Sequence, residues 1–333
     1  MARDSGRVTL QDIARATGFT VNTVSRALKN KDDISRETCL HIQQVAREMG
    51  YVRNYIASSL RSGRTKTIAM IAGSMTNPFY AILCDLIQQE AVRLGYSLMI
   101  LCSRDDPDTE VRMVEMALSR QADGVLITPC SFESPALGLL RSSGIPFVLL
   151  SRYLEGSEDD CVYCDDEQGG FLAARHLIEN GHRHLAMMSF RHVVFSSRKR
   201  FEGFQRACLE AGIPARRIHY SEPESEEDIP RQLKAWIDDG VSALFAFCDV
   251  EAWSVITQME NSGLSRRGNL CVVGFDNILR YINFPKPICS IDPQLREEAR
   301  TAIDLLRRRI HEPGLPPQQV LLPVSLVCRE SCR

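Results

Sequence analysis

A chain of 333 residues, 44 % hydrophobic and 25 % charged, has the composition of a soluble globular protein with room for a small domain plus one or two larger ones. No apolar run approaches the roughly 18 residues of a membrane span, and the opening MARDSGRVTL holds no hydrophobic signal core, so the expectation is a cytoplasmic protein with no membrane partner. The net charge of −2 hides an asymmetry, because residues 1–66 carry 12 Lys/Arg against 6 Asp/Glu while the remainder carries 28 against 36. A basic head on an acidic body points to a polyanion as the partner of the head.

Residues 8–30, VTLQDIARATGFTVNTVSRALKN, read as two short helices around a glycine turn. Thr9 is placed to cap the first, with Asp12 three residues on completing a capping box, and Leu10, Ile13 and Ala14 recur at helical spacing. Gly18 falls where the chain must reverse, a position that favours positive φ. Thr20 caps the second helix, whose Val24, Ala27 and Leu28 face inward. Val21, Asn22, Ser25 and Arg26 are left outward near its N-terminus. In a helix-turn-helix such residues reach base edges; a buried helical hairpin is the plainer alternative. A third helix from about Arg36 to Met49, capped by Ser35 and stopped by Gly50, offers Val45 and Met49 to close a three-helix core. The following YVRNYIASSLRSGRTKT has Asn54 as a cap and only Ile56, Ala57 and Leu60 as apolar anchors. It is too short to be a stable helix alone and makes sense folding on a partner. Its basic flanks, Arg53, Arg61, Arg64 and Lys66, make that partner polyanionic.

The pattern V-T-L-x-D-I-A through T-V-S-R-A-L, then G-Y-x-x-N-x-x-A-x-x-L, resembles the lactose/galactose-repressor family of bacterial transcription factors, and the resemblance extends over nearly the whole chain. It implies a helix-turn-helix head at 1–52, a hinge helix and linker at 53–65, and an effector-binding and dimerisation core at 66–333. The core would comprise one subdomain of about 66–162 plus 293–323 and a second of about 163–292 plus 324–333, with crossings near Cys161–Cys164, Asp292 and Pro323.

From about Lys66 the chain itself alternates. KTIAMIAG, YSLMILCS, GVLITP and PFVLLS are short apolar strands, separated by helices from about Phe79 to Leu94, Thr109 to Arg120 and Pro135 to Ser143. The rhythm resumes with HLAMMSF, a helix from Arg200 to Ala211, one around Ile229–Asp238, ALFAFC, a helix from Ala252 to Asn261, and LCVVGF. A last helix is expected from Pro293 to Arg309. Alternation of this kind argues an α/β fold of parallel sheets with helices on both faces. The two halves match the doubly wound, periplasmic-binding-protein-like core that the resemblance implies.

In open α/β sheets, ligands bind outside the carboxyl ends of the strands. The residues there are Asn77-Pro78-Phe79-Tyr80, Ser151-Arg152, the loop leading to Arg200, Cys248-Asp249 and Asp276-Asn277. An aromatic face, a guanidinium and a carboxylate suit a small polar ligand. The resemblance supports Phe79, Tyr80, Ser151, Arg152, Arg200, Cys248, Asp249 and Asp276 as effector-binding residues, Arg200 falling on the family's effector arginine and Asp276 on its effector acid. Three positions depart from the family's pattern: Ser151 stands where an acid is usual, Cys248 where an Asn precedes the Asp, and Ser221 where an aromatic is common. A sugar, a sugar phosphate bound through Arg152 and Arg200, and a purine-like ring all stay open.

The implied function is a sequence-specific DNA-binding regulator that acts as a repressor, whose homodimer presents two heads to a palindromic operator and whose affinity answers to a small metabolite in the inter-subdomain cleft. The DNA-contacting set is Thr9, Thr20, Val21, Asn22, Ser25, Arg26, Asn54, Ala57 and Leu60. Within it Asn22 pairs with adenine and Val21 touches a thymine methyl, Arg26 meets phosphate or guanine, and Leu60 wedges into the minor groove. Arg53, where the family often has Pro, predicts a looser hinge. The ending VCRESCR has no leucine heptad, so a coiled-coil tetramer is not expected. A solute-binding receptor without a DNA role is the alternative. Neither G-x-G-x-x-G after the first strand nor G-x-x-x-x-G-K-[ST] is present, so no enzyme activity and no cofactor are expected.

Twelve cysteines at irregular spacing sit mostly within apolar patterns, where Cys acts as a small hydrophobe. Cys161-x-x-Cys164 is half of a possible zinc set, but a second pair at usable spacing is missing. His182 and His184 read as surface positions. No metal site and no disulfide are expected.

Overall fold

The computed structural model describes residues 8–52, 63–131, 134–154, 156–190, 195–220, 228–264, 270–283 and 286–329. The hinge expectations at Asn54, Ala57 and Leu60, and the departure at Ser221, lie outside them. The chain divides at Thr65–Lys66 into an N-terminal unit and a larger C-terminal one.

The N-terminal unit contains α1 (Leu10–Thr17), α2 (Val21–Ala27) and α3 (Arg36–Glu48). The Thr9 amide donates to Asp12 Oδ2 at 2.9 Å and the Asp12 amide to Thr9 Oγ1 at 3.3 Å, a reciprocal capping box. Gly18 ends α1 at φ 74° with its N–H on the Ala14 carbonyl, and the Thr23 amide donates to Thr20 Oγ1 at 3.1 Å to start α2. Ile13, Ala14, Val24, Ala27, Cys39, Ile42 and Ala46 form the core. This shifts the stripe expected of α3: Val45 is only half-buried and Met49 packs at the edge. The row Cys39–Ile42–Ala46–Met49 keeps the 3-and-4 spacing with Cys39 as its first hydrophobe.

The C-terminal unit holds two six-stranded sheets. In chain order the first part is β1 (Thr67–Ala72), α4 (Pro78–Arg93), β2 (Ser97–Cys102), α5 (Pro107–Ser119), β3 (Gly124–Ile127), α6 (Pro135–Ser143), β4 (Phe147–Leu150) and β5 (Cys161–Cys164). Then follow α7 (Asp166–Glu179), β6 (Leu185–Phe190), α8 (Phe195–Glu210), β7 (Arg216–Tyr220), α9 (Asp228–Asp238), β8 (Ala243–Ala246), α10 (Asp249–Asn261), β9 (Cys271–Phe275), a 3-10 turn (Ile278–Arg280) and β10 (Cys289–Asp292). The chain ends with α11 (Leu295–His311), β11 (Gln319–Leu322) and β12 (Ser325–Val327). The sheet orders are β11-β5-β4-β3-β1-β2 and β12-β10-β9-β8-β6-β7. All of these pairings are parallel except β12 on β10, which is antiparallel. Chain passages between the sheets follow β5 and β10 and separate β11 from β12, so each lobe contains non-contiguous segments.

Strands such as β3, β8 and β9 are buried at every position, as parallel strands covered on both faces must be. Helices α4, α5 and α6 each begin with Pro at the first turn, where its missing N–H is harmless. The structure adds α7, which carries the poor helix formers Gly169 and Gly170. Packing overrides propensity here: a Cβ on Gly170 would stand 1.9 Å from the Arg200 carbonyl oxygen, and one on Gly203 would stand 1.8 Å from that of Glu167. Only two glycines let α7 and α8 cross this closely. Helix α8 also starts at Phe195, five residues before the expected Arg200.

The Cys161-x-x-Cys164 pair does not converge. Cys161 joins the core under the first sheet, with Leu101, Val125 and Leu149, whereas Cys164 lies with Ala173, Leu177 and Phe204 of the second lobe. Cys271 is disulfide-bonded, which corrects the expectation that no disulfide forms; sequence spacing carries no information on which thiols the fold brings together.

Candidate functional site

In the N-terminal unit the start of α2 is the exposed polar element. Thr9, Thr20, Asn22 and Arg26 are exposed, Val21 is 44 % exposed, and Ser25 is half-buried. Val24 and Ala27, fully buried, fix which side of the helix remains available. Arg26 is ion-paired with Asp33 of the following loop, a partner the spacing did not reveal. Such exposed pairs contribute little, so a phosphate can compete for this guanidinium.

In the C-terminal unit the predicted residues gather at the carboxyl ends of strands in two groups, one per lobe. On the first lobe, Asn77 Oδ1 accepts the Phe79 amide at 3.0 Å and so starts α4, placing Phe79 and Tyr80 in its first turn with their rings edge to face at 5.2 Å. Arg152, after β4, donates to the Pro129 carbonyl at 2.7 Å, to Tyr80 Oη at 2.8 Å and to Asp105 at 3.1 Å. Burial pushes the Tyr80 phenol up to about 12, so it stays protonated. Ser151, at φ 57°, donates to Glu298 Oε1 at 2.6 Å. That bond sets a carboxyl of α11, which burial raises to about 7, against Ser151.

On the second lobe Arg200 is the hub. Its Nε donates to Asp166 Oδ1 at 2.7 Å and an amino group donates to the Phe247 carbonyl at 2.5 Å. Its guanidinium carbon stands 3.4 Å from the Phe275 ring centre and 4.5 Å from that of Phe247. Burial opposes the charge, but Asp166 and Asp276 outweigh it and hold Arg200 above its ordinary pKa. Asp276 follows β9 at φ 106°, a strained conformation for a non-glycine residue, of the kind that clusters at functional sites. It is 5 % exposed, and among the described residues no donor hydrogen-bonds its carboxylate. Burial raises its pKa well above the usual range although Arg200 pulls it down.

Cys248 and Asp249 behave differently. Burial pushes the Cys248 thiol up, leaving a neutral, apolar helix start with no side-chain cap bond. Asp249 is turned inward: Oδ1 accepts from Ser290 Oγ at 2.6 Å and Oδ2 from the Ile278 amide at 2.9 Å. It fastens the segment after β9 that presents Asp276. Glu251 is buried, with Oε2 accepting the Phe247 amide at 3.1 Å, Oε1 without a partner among the described residues, and a pKa raised by burial to about 8.

Sequence reading missed Asp105, Asp166, Phe247, Glu251 and Glu298. Asp166 was findable, because the strand-end rule selects it once Cys161–Cys164 is read as a strand. Glu298 carries no such signal, since it reaches the site from the interior of α11.

The pattern "Bacterial regulatory proteins, lacI family" matches residues 9–54, and "Periplasmic binding protein-like domain" matches residues 174–332. The chain is similar to the HTH-type transcriptional regulator DegA of Bacillus subtilis, with 30 % identity over 335 residues and 98 % of each chain covered. It is 29 % identical over 331 residues to the HTH-type transcriptional repressor PurR of Photobacterium profundum, again over 98 % of each. Its fold is similar to that of the lac repressor dimer bound to operator and the anti-inducer ONPF, with a TM-score of 0.82, 22 % identity, and coverage of 98 % of this chain and 99 % of that one. No helix among the described residues is long and apolar enough to cross a membrane. The chain belongs to the lacI family of bacterial regulatory proteins and is a DNA-binding transcriptional regulator.

Proposed function

We propose that this regulator is a repressor that binds a near-palindromic operator as a homodimer and that a small hydroxyl-bearing metabolite in the cleft between the lobes of its core sets its affinity. The proposed boundaries are a head at 1–52, a hinge at 53–65 and a core at 66–333, with lobes of 66–162 plus 293–323 and 163–292 plus 324–333. Thr9, Thr20, Val21, Asn22, Ser25 and Arg26 form the operator-facing set, joined by Asn54, Ala57 and Leu60 of the hinge. Asn22 is the reader of base edges, since an amide can pair bidentately with adenine.

The observation that carries the effector reading is Asp276, a buried and strained carboxylate without a hydrogen-bond donor among the described residues, set beside an arginine already fixed from behind. It accepts from ligand hydroxyls while Phe79 and Tyr80 of the other lobe supply the aromatic wall. A phosphorylated ligand is disfavoured. The Arg200 guanidinium has Phe rings on it and is hydrogen-bonded to Asp166, and Arg152 is held by three acceptors. Ser151 and Arg152 line the first-lobe side, whereas Cys248 contributes apolar surface and Asp249 supports Asp276 from within.

Closure of the lobes on the effector changes the spacing of the two heads, and a coupling of about 1–3 kcal/mol alters operator affinity 5–150-fold. The test is a thermal-shift screen of sugars, polyols, sugar phosphates and nucleobases on the full-length chain. Asp276→Asn should remove the shift of the responding compound while leaving the unliganded melt in place. Arg200→Ala is the less discriminating variant, because it strands Asp166 as a buried unpaired acid. A shift unchanged in Asp276→Asn would contradict this assignment.

A further inference from the structure

Away from the cleft, the second lobe brings three metal-ligating side chains together from distant parts of the chain. His176 lies on α7, Cys289 on β10, and Cys328 directly after β12. Their donor atoms all lie within 4.8 Å of one another. The two sulfurs are 3.9 Å apart, and Cys328 Sγ is 3.9 Å from His176 Nε2. Neither cysteine is in a disulfide. Two thiolates on a tetrahedral zinc ion at about 2.3 Å stand about 3.8 Å apart, and a thiolate and an imidazole about 3.6 Å. The sulfur pair is therefore at metal spacing, and the imidazole must close by about 0.3 Å on Cys328 and by up to about 1.2 Å on Cys289.

We propose that His176, Cys289 and Cys328 bind one thiophilic divalent cation, zinc(II), in an open site whose fourth position is filled by water. Two sulfurs and one imidazole select a borderline or soft metal and reject magnesium and calcium, which take oxygen ligands. On binding, the metal displaces the two thiol protons and takes a lone pair from neutral imidazole, so the ion and its thiolates sum to zero charge. That neutrality suits Cys289, which is fully buried in the apolar core of the lobe. The Arg329 amide donates to Cys289 Sγ at 3.1 Å, a bond that a metal-bound sulfur can keep, while the thiol's own bond to the Arg329 carbonyl at 3.2 Å would be given up with its proton. Cys328 is exposed and gives the ion its entry path. The bound metal would tie the antiparallel strand β12 and the segment after it to α7 and β10, fixing the edge of the second sheet.

The test is a cobalt(II) titration of the full-length chain with its thiols kept reduced. One equivalent should give thiolate-to-cobalt charge-transfer absorption and tetrahedral d–d bands, zinc should abolish both, and the zinc form should melt higher than the metal-free form. Cys328→Ser and His176→Ala should each lose the charge-transfer signal or weaken binding at least tenfold, with the circular-dichroism spectrum kept. Cys102→Ser, in the other lobe, should leave the titration unchanged. Absence of the bands at stoichiometric cobalt, or their persistence in Cys328→Ser, would overturn the proposal. So would a Cys289–Cys328 disulfide that forms as readily with zinc present as without it, since that assigns the pair to thiol oxidation.

Discussion

Gly170→Ala probes the contact that places Arg200. The added Cβ would lie 1.9 Å from the Arg200 carbonyl oxygen and 2.7 Å from its carbon, both backbone atoms that cannot rotate aside. Ordinary contact requires about 3.4 Å, so α7 and α8 must part by about 1.5 Å. That separation opens the packing of Ala174, Leu177, Phe204 and Ala207 and stretches the 2.7 Å bond between Arg200 and Asp166. Overpacking of this severity should cost about 3 kcal/mol or more. For a unit of this size the melting temperature should fall by roughly 6–12 °C, and the effector-induced shift should vanish with it. Gly138→Ala is the matched control. It lies within α6, where a Cβ meets nothing within 4 Å, and should raise stability by about 0.5–1 kcal/mol. Differential scanning calorimetry of the three proteins decides the matter. A Gly170→Ala protein melting within about 1 °C of the parent would refute the close-crossing argument.

The buried acids predict a pH dependence. Asp249 and Glu298 are raised to about 7 and Glu251 to about 8, each by burial. The folded state therefore holds protons that the unfolded chain has released, so stability should fall as pH rises through 7 to 8 and level off above. Each proton contributes at most about 1.4 kcal/mol per pH unit. Melts from pH 6.5 to 9 check this, with Glu251→Gln expected to flatten the upper part of the slope; a rise in stability over that range would contradict it. Ser290→Ala removes the donor to Asp249 and the acceptor of the Asn277 amide at 2.9 Å. It should destabilise by about 1–3 kcal/mol and weaken effector binding through displacement of Asp276, as denaturant titration and thermal shift would show. Asn22→Ala should lower operator affinity by about 1–3 kcal/mol and relax preference at one base pair, whereas loss of a phosphate contact would weaken all sequences alike.

Local chemistry made the head legible. Thr9, Asp12, Gly18 and Thr20 announce their caps and turn, and the buried Ile13, Val24 and Ala27 recur at helical spacing. The first lobe was nearly as plain, because α4, α5 and α6 open with a capping-type residue followed by Pro. Helix α7 was hidden because its glycines lower local propensity and are justified only by distant partners, Gly170 by the backbone of α8 and Gly169 by Phe275 and Ile291 of the sheet. β5, β10, β11 and β12 are four residues or fewer and gain meaning only from their neighbours in the sheet. The cleft divides the same way. Asp276 stands at a strand end, where a general rule finds it, and Arg200 on the helix that follows β6, where the resemblance points, while Glu298 beside Ser151 and the inward turn of Asp249 depend on tertiary packing. The His176–Cys289–Cys328 group was invisible for the same reason, since its members are scattered over some 150 positions and lie on a helix, a strand and the segment after the last strand.

The central claim is that α2 reads duplex DNA under control of the cleft. The most direct measurement is fluorescence anisotropy of the full-length chain on a duplex selected from a random pool, at near-physiological salt, with and without the compound found by thermal shift. The account predicts preference over random competitor of about a thousandfold or more and a 5–150-fold change on adding the compound. Equal affinity for selected and random duplex, with or without that compound, would contradict it.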